Sequence, residues 1–167
     1  MADGSQIARA RLVPVLVTDL VRLAYEMRDD EKDQWCAVTG NAEYDPDLAG
    51  RMFAQIGGVS WCYVNAVGEP VAAGGFEEVR PKVWQTWMAG TMEAWTDHWK
   101  ALTRHSRRLG DRLIANGHAN RIQTYALAER TAAHRWYEAL GQRYESHLEQ
   151  FFADGRDAVC YVKTRAR

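Results

Sequence analysis

The sequence predicts an α/β (α+β) fold, in which helices flank both faces of a mixed, mostly antiparallel central sheet. Two observations support this. Short runs of alternating, β-branched and aromatic residues lie on both sides of one long amphipathic helical pattern. Only turns separate the three runs directly before this pattern, whereas a second helical pattern separates the runs after it. Because 167 residues suffice for one core, residues 1–167 are predicted to form a single domain.

The first part of the chain is predicted to hold one strand and three helical segments. Pro14 has no N–H to donate to a neighbouring strand, which indicates an edge position for the first strand. The segments are a strand at Arg11–Val17, a helix capped by Thr18 or Asp19, a charged stretch 28–34 that leads into a short helix ended by Gly40, and a helix opened by Asp45.

The remainder is predicted to complete the sheet and to add two helices. In the long helix, large apolar residues recur at intervals of three and four and so share one face. The elements are strands at Val59–Asn65, Val71–Glu77 and Val83–Met88, a helix over 91–116, a strand over 121–127, a helix over 129–140, a strand from Arg143 and a strand at Ala158–Thr164.

Composition argues against several classes of function. A net charge of −1 predicts no nucleic-acid partner and no attraction to an acidic membrane. No apolar run approaches the roughly 20 residues that span a bilayer, and residues 1–6 lack a secretion pattern. The three cysteines, Cys36, Cys62 and Cys160, are predicted to be free thiols. No histidine pair stands with a carboxylate at ligand spacing, so no metal is expected.

Seven tryptophans are the unusual feature of the composition. In one interpretation they fill the core, with Trp84 and Trp87 on opposite faces of a strand and Trp95 and Trp99 on the stripe of the long helix. In the other, part of this set is exposed and forms an apolar patch for a protein partner or a pantetheine-sized ligand.

The segment 121–145 carries the most specific pattern. A short strand is followed by a helix, which Gly141 ends at a position where glycine adopts the left-handed conformation at least cost. Ala133, Tyr137, Glu138 and Gly141 have the spacing of an Ala-x-x-x-Tyr-Glu-x-x-Gly-Phe run, with a glutamine in place of the final aromatic residue. In pattern and in element order the chain resembles the GNAT (Gcn5-related N-acetyltransferase) family.

The resemblance implies a site that brings acetyl-CoA and an amine together. Tyr137 would be the general acid that protonates the departing thiolate, a role that suits a phenol with a pKa of about 10. Candidates for the general base are Glu77 and Glu78, at the end of a central strand.

The same resemblance places the acetyl-CoA pyrophosphate at the start of the central helix, where backbone N–H groups point at an anion. Four residues fall there, namely Met88, Ala89, Gly90 and Thr91. The family's glycine signature is matched only in its first half, by residues 107–111, and these fall inside the helical stripe.

Residues 60–164 are similar in particular to acetyltransferase-like proteins of bacteriophages, including internal virion proteins of short-tailed coliphages. This resemblance rests on residues 71–77, the tryptophan-rich strand after them and the run 134–141. It implies a virion- or assembly-associated protein with a degenerate acetyl-CoA site, in the host cytoplasm and the particle. Its partners would be other phage structural proteins or a second copy, bound through a tryptophan-rich surface. The alternative is an active acetyl-CoA-dependent N-acetyltransferase for an amine on a protein or small molecule.

Overall fold

A computed structural model describes residues 10–165, and within this range the chain forms seven strands and five α-helices. The strands are β1 (Arg11–Val13), β2 (Val59–Val64), β3 (Pro70–Arg80), β4 (Val83–Gly90), β5 (Arg121–Leu127), β6 (Arg143–Leu148) and β7 (Ala158–Thr164). The helices are α1 (Val17–Glu26), α2 (Asp29–Thr39), α3 (Pro46–Gln55), α4 (Trp99–Ala115) and α5 (Thr131–Ala139), with a π-helical turn (Ala94–His98) before α4.

The strands form one sheet in the order β1-β2-β3-β4-β5-β7-β6. Neighbouring strands are antiparallel except for β4 and β5, which are parallel and pair over only three positions, from Val83 with Arg121 to Gln85 with Gln123. Beyond these pairs the two strands diverge toward their carboxyl ends. The predicted mixed, mostly antiparallel sheet is therefore confirmed, and its single parallel pair opens a gap near the middle.

Helices cover both faces of this sheet, as predicted. On the face called here the α1–α3 face, Leu20 and Leu23 of α1 pack against Ala73, together with Phe53 and Trp87. On the other, the α4–α5 face, Leu102 packs beneath Trp61, and α5 packs against β5 and β7. Side chains that alternate along β3, β4 and β5 therefore belong to two separate cores.

The amino-terminal elements differ from the prediction in two respects. The first strand ends at Val13 rather than Val17, because α1 begins at Val17. The charged stretch 28–34 is not a lead-in segment but the first turns of α2, where three acidic residues are favoured by the positive end of the helix dipole. Gly40 ends this helix with a φ of 73°, as expected of a left-handed cap.

The long helix is interrupted close to its start. Residues 92–115 are helical, but Ala94–His98 form a π-helical turn, a feature frequent at functional sites. Of the seven tryptophans, Trp99 is the one classed as exposed, at 42%, and the others are buried or half-buried. Trp84 and Trp87 lie on opposite faces, as predicted. Trp84, Trp87 and Trp95 pack against core clusters, as the core interpretation predicts. Trp99 departs from it.

The structure also bears on the predictions made for the cysteines and for membrane-spanning segments. Cys36, Cys62 and Cys160 are free thiols, as predicted. None of the helices in residues 10–165 is long and apolar enough to cross a membrane. The absence of a secretion pattern was inferred from residues 1–6, which lie outside the described range.

Gly75 allows β3 to pass close to its neighbours, and its replacement by alanine is expected to destabilise the protein. A Cβ atom there would lie 2.4 Å from the Val59 carbonyl oxygen and 2.9 Å from Trp87 Nε1. Overpacking of this kind costs about 1–3 kcal/mol. For a chain of this length each kcal/mol lowers Tm by about 2–4 °C. Thermal unfolding measures the effect. Gly57→Ala is the matched control, because no atom lies within 4 Å of a Cβ there, and equal loss in both variants would contradict the prediction.

Candidate active site

A cavity of about 470 Å³ occupies the gap between the diverging ends of β4 and β5. Thr86 and Thr124, whose hydroxyl groups are hydrogen-bonded across the gap just beyond the last paired residues, line it on the α4–α5 face. Gly75, Glu77 and Trp87 line it on the α1–α3 face. The cavity therefore passes through the sheet, so that two ligands could meet there from opposite faces.

Helix α2 lies across the wide end of this gap. Because β4 and β5 no longer pair there, their backbone N–H groups need other acceptors. Glu31 Oε2 accepts from the Gly90 N–H at 2.8 Å, and Gln34 Oε1 accepts from the Leu127 N–H at 2.8 Å. Two side chains three residues apart on α2 thus join the ends of the two strands.

Glu31 is the only charged residue classed as buried in the described part of the chain. Besides the Gly90 N–H, its carboxylate accepts from Trp95 Nε1 at 2.9 Å and from Arg28 Nη2 at 3.3 Å. Burial raises the pKa of Glu31 to about 6, although Arg28 and the Gly90 N–H oppose this rise. The carboxylate is therefore held in place by three donors, yet its charged form is disfavoured.

Two arginines link α2 with the start of α5 at the same end of the cavity. Asp30 Oδ2 accepts from Arg28 Nη2 at 3.1 Å and from Arg130 Nη2 at 2.9 Å. The Arg28 guanidinium also lies over the Trp95 ring, 4.7 Å from its centroid. Two positive and two negative groups thus balance at the wide end of the gap.

Tyr137 forms part of the cavity wall on the α4–α5 face. Its ring packs against Trp136 and Tyr161, and its hydroxyl forms no hydrogen bond with any residue in 10–165. Burial raises the pKa of Tyr137 to about 12, while the nearby Arg130 acts in the opposite direction. The phenol is therefore protonated at neutral pH and available to a ligand.

Two further tryptophans line the cavity without filling it. Trp95 and Trp136 meet edge to face, with ring centroids 5.1 Å apart, and Trp136 Nε1 donates to Thr103 Oγ1 at 2.8 Å. These contacts hold α4 and α5 together beside the gap. Gly90 leaves room for the first indole, because a Cβ there would lie 3.0 Å from Trp95 Nε1.

The two carboxylates predicted as bases are separated by the alternation of β3. Glu77 lines the cavity on the α1–α3 face, opposite the face that carries Tyr137. Glu78 is exposed, does not line the cavity, and accepts from the Lys82 N–H at 2.7 Å in the turn before β4. The structure therefore brings Glu77, but not Glu78, to the same cavity as Tyr137.

The four residues predicted to hold the cofactor complete β4 and lead into the helix. Met88, Ala89 and Gly90 pair with residues 72–74 of β3, and Met88 lines the cavity. The Thr91 N–H donates to the Val71 carbonyl at 2.9 Å, and the Thr91 hydroxyl accepts from the Ala94 N–H. With Gly90 bonded to Glu31, two of the predicted N–H donors already have acceptors.

The residues that match the first half of the glycine signature lie in the long helix. Residues 107–111 lie inside α4, as predicted, far along the chain from its start. Gly110 packs there against Phe76 and Ile122, and Asp111 is paired with Lys163.

Among residues 10–165, no group of three or more histidine, cysteine, aspartate or glutamate side chains is placed to hold a metal ion.

The sequence-based reasoning missed the wide end of the gap. Arg28, Glu31 and Gln34 lie in the charged stretch 28–34, and Arg130 precedes α5. One signal for Glu31 was available, because it stands four residues before Trp35 and so shares a helix face with a large apolar residue. Nothing in the sequence indicates that this face meets Gly90, 59 residues away.

Comparison with known proteins places the architecture. No protein-family model matches the chain, and no curated protein sequence does. Solved structures do. An acetyltransferase of the GNAT family from Bacillus anthracis superposes with a TM-score of 0.70 at 12% identity, covering 95% of this chain and 96% of that one. AAC(6')-Ib in complex with ribostamycin and coenzyme A gives 0.68 at 19%, covering 94% of each. A spermidine N-acetyltransferase chimera from Vibrio cholerae and a second source gives 0.66 at 13%, covering 93% and 95%. The chain therefore has the GNAT fold.

Proposed function

We propose that this protein transfers an acyl group from a coenzyme A thioester to a primary amine. The observation that carries the proposal is the cavity through the sheet, with the free hydroxyl of Tyr137 on one face and the carboxylate of Glu77 on the other. An acyl donor and an amine that enter from opposite faces would meet between a proton donor and a proton acceptor. The bound coenzyme A in one structure of the same fold supports the choice of donor.

Glu77 and Tyr137 have complementary roles in this proposal. Glu77 accepts a proton from the substrate ammonium, so that the neutral amine nitrogen can attack the thioester carbonyl. The C–N bond forms and the C–S bond breaks, and the electron pair of the latter leaves on sulfur. Tyr137 first donates a hydrogen bond to this sulfur and then its proton. The new amide nitrogen loses its extra proton, which restores the phenol, and Glu77 releases its proton to solvent. A thiolate that forms in the same buried cavity is itself desolvated, which raises its pKa toward that of the phenol.

The residues at the wide end fit the coenzyme less well than the cavity does. Glu31 already bonds the Gly90 N–H, which is one of the donors expected for the cofactor. A carboxylate there repels phosphate groups and must release the N–H before another acceptor can take it. Arg28 and Arg130 partly compensate this negative charge.

The test is an assay of thiol release from acetyl-CoA by the purified chain with a panel of primary amines. We expect release that depends on the amine, with kcat in the usual enzyme range of about 1–10³ s⁻¹. Mass spectrometry should show the amine heavier by one acetyl group. Amine-independent release, or none with any amine in the panel, would contradict the proposal.

A second candidate is a non-catalytic protein of the same fold that acts in assembly. The bond between Glu31 and Gly90 favours it, as does the lack of the family's full glycine signature at the helix start. This candidate includes the predicted bacteriophage origin, the virion association and the binding of structural partners, with Trp99 as the most exposed tryptophan. Calorimetric titration with coenzyme A separates the two candidates, because the second predicts that coenzyme A does not bind. Copurification with phage particles would then support the assembly role.

A further inference from the structure

The half of the cavity on the α1–α3 face has aromatic walls on both sides of the gap. On the β4 side, Phe53 and Trp87 are stacked with centroids 5.7 Å apart and planes inclined by 15°. On the β5 side, Tyr125 and Phe151 are stacked at 4.7 Å and 27°. All four side chains line the cavity. An entering ligand thus meets two ring pairs that are already held in place, and ordering them costs little entropy.

Charge in this half is confined to one residue. Of the four charged residues that line the cavity, Arg28, Glu31 and Arg130 belong to the network at the wide end. Glu77 is the fourth, and its carboxylate forms no ion pair within residues 10–165. It lies across from Gln85, five residues before Gly90 along β4 and so roughly 17 Å from the Glu31 network by strand rise. Glu77 therefore presents a single negative charge beside aromatic walls.

We infer that the acceptor is a small monoamine with an aromatic or bulky apolar body; this inference rests on the proposed acyl transfer. The ammonium group binds Glu77, and the body lies between the two stacked pairs, where aromatic faces also attract the positive charge. The same amine nitrogen then loses its proton to Glu77 and attacks the thioester.

Polycationic acceptors fit this half poorly. One carboxylate can pair with one ammonium group. Each additional positive charge would move from water into the cavity with no carboxylate to pair with. Ribostamycin, bound in one neighbour of the same fold, and spermidine, named with another, each carry several such charges. A monoamine acceptor differs from both molecules by its single charge.

The test compares 2-phenylethylamine with spermidine in binding and in turnover. A titration monitored by tryptophan fluorescence measures amine binding independently of acetyl transfer, because Trp87 lies in the cavity wall. We expect 2-phenylethylamine to bind at least tenfold more tightly than spermidine, and to have the higher kcat/KM. Glu77→Gln should weaken its binding at least tenfold. Glu78→Gln is the matched control, because the neighbouring carboxylate lies outside the cavity, and it should leave binding within twofold.

The outcomes separate this inference from the proposed function. Equal or tighter binding of spermidine, or equal effects of the two glutamine variants, would overturn the monoamine assignment even if acetyl transfer occurs. Binding of 2-phenylethylamine that depends on Glu77, in a protein that releases no thiol from acetyl-CoA, would support the assignment of this half of the cavity and reject the acyltransferase. 2-Phenylethanol, which lacks the ammonium group, should bind the wild type and Glu77→Gln equally, and a loss specific to the variant would contradict the charge pairing.

Discussion

Replacement of Tyr137 by phenylalanine is expected to lower kcat for acetyl transfer about a hundredfold or more at neutral pH. General acid catalysis contributes typically 10²–10⁴-fold, and Tyr137 has the only phenol on the α4–α5 face that lines the described cavity. The hydroxyl makes no hydrogen bond to the described residues, so its removal leaves no partner unsatisfied. Tm should therefore change little, and KM for the amine should stay within a few-fold.

The control for this variant is Tyr161→Phe. Tyr161 packs against Tyr137 with ring centroids 5.6 Å apart but is not part of the cavity wall. The Tyr161→Phe variant tests whether loss of any hydroxyl from the same aromatic cluster is enough to slow the reaction. Steady-state rates for both variants, with Tm measured alongside, decide the question. A rate for Tyr137→Phe within threefold of the wild type would remove Tyr137 from the mechanism.

The pH dependence gives a second measurement on the same residue. With a pKa raised to about 12, Tyr137 stays protonated through the neutral and mildly alkaline range. The wild-type rate should therefore show no loss from ionisation of this group below about pH 10, whereas an unshifted phenol would be half ionised there. Any fall in rate between pH 7 and pH 9 that Tyr137→Phe abolishes would contradict the assignment.

The sequence predicts the fold well because its signals are local. Gly40 and Gly141 end helices with φ of 73° and 78°, and Asp45 caps α3 by accepting from the Leu48 N–H. Alternation and helical periodicity report which residues share a face, and these determine the sheet and its two helical layers. The strand and helix order follows from these signals without any knowledge of distant contacts.

The candidate site is predicted only in part, because its decisive contacts connect distant residues. Tyr137 is identified by a spacing within one helix. Glu31 is not, because its donors, Gly90 and Trp95, lie 59 and 64 residues further along the chain. The π-helical turn that contains Trp95 also cannot be inferred from a pattern that recurs at threes and fours. Periodicity therefore places α2 on a face but does not show that it joins the ends of β4 and β5.

Relative to the wild type, Glu31→Gln is expected to be more stable at neutral pH than it is in acid. The pKa of Glu31 is about 6 in the folded protein, against 4.5 for an ordinary glutamate, so the folded state binds the proton more tightly than the unfolded chain. The stability from this proton is fully present below about pH 4.5 and is lost as pH rises through 6. This difference between the two pKa values corresponds to about 2 kcal/mol in the free energy of unfolding.

Thermal unfolding between pH 4.5 and pH 7.5 measures this effect. The difference in Tm between Glu31→Gln and the wild type should move in favour of the variant by about 4–8 °C across that range. Asp29→Asn is the matched control, because Asp29 lies in the same first turn of α2 but its side chain is fully exposed. A Tm difference for Glu31→Gln that does not vary with pH would show that the buried carboxylate is not disfavoured.

The same variant measures the effect of the buried Glu31 charge on the binding of coenzyme A. If the Glu31 carboxylate opposes coenzyme A at the Gly90 N–H, Glu31→Gln should bind coenzyme A about tenfold more tightly at pH 7.5, the equivalent of about 1.4 kcal/mol. Near pH 5 the wild-type carboxylate is largely protonated, so the ratio of the two affinities should approach one. Titration of the coenzyme's own phosphates affects both proteins equally and cancels in this ratio. Weaker binding by Glu31→Gln at pH 7.5 would instead show that Glu31, with Arg28, supports the ligand rather than excluding it.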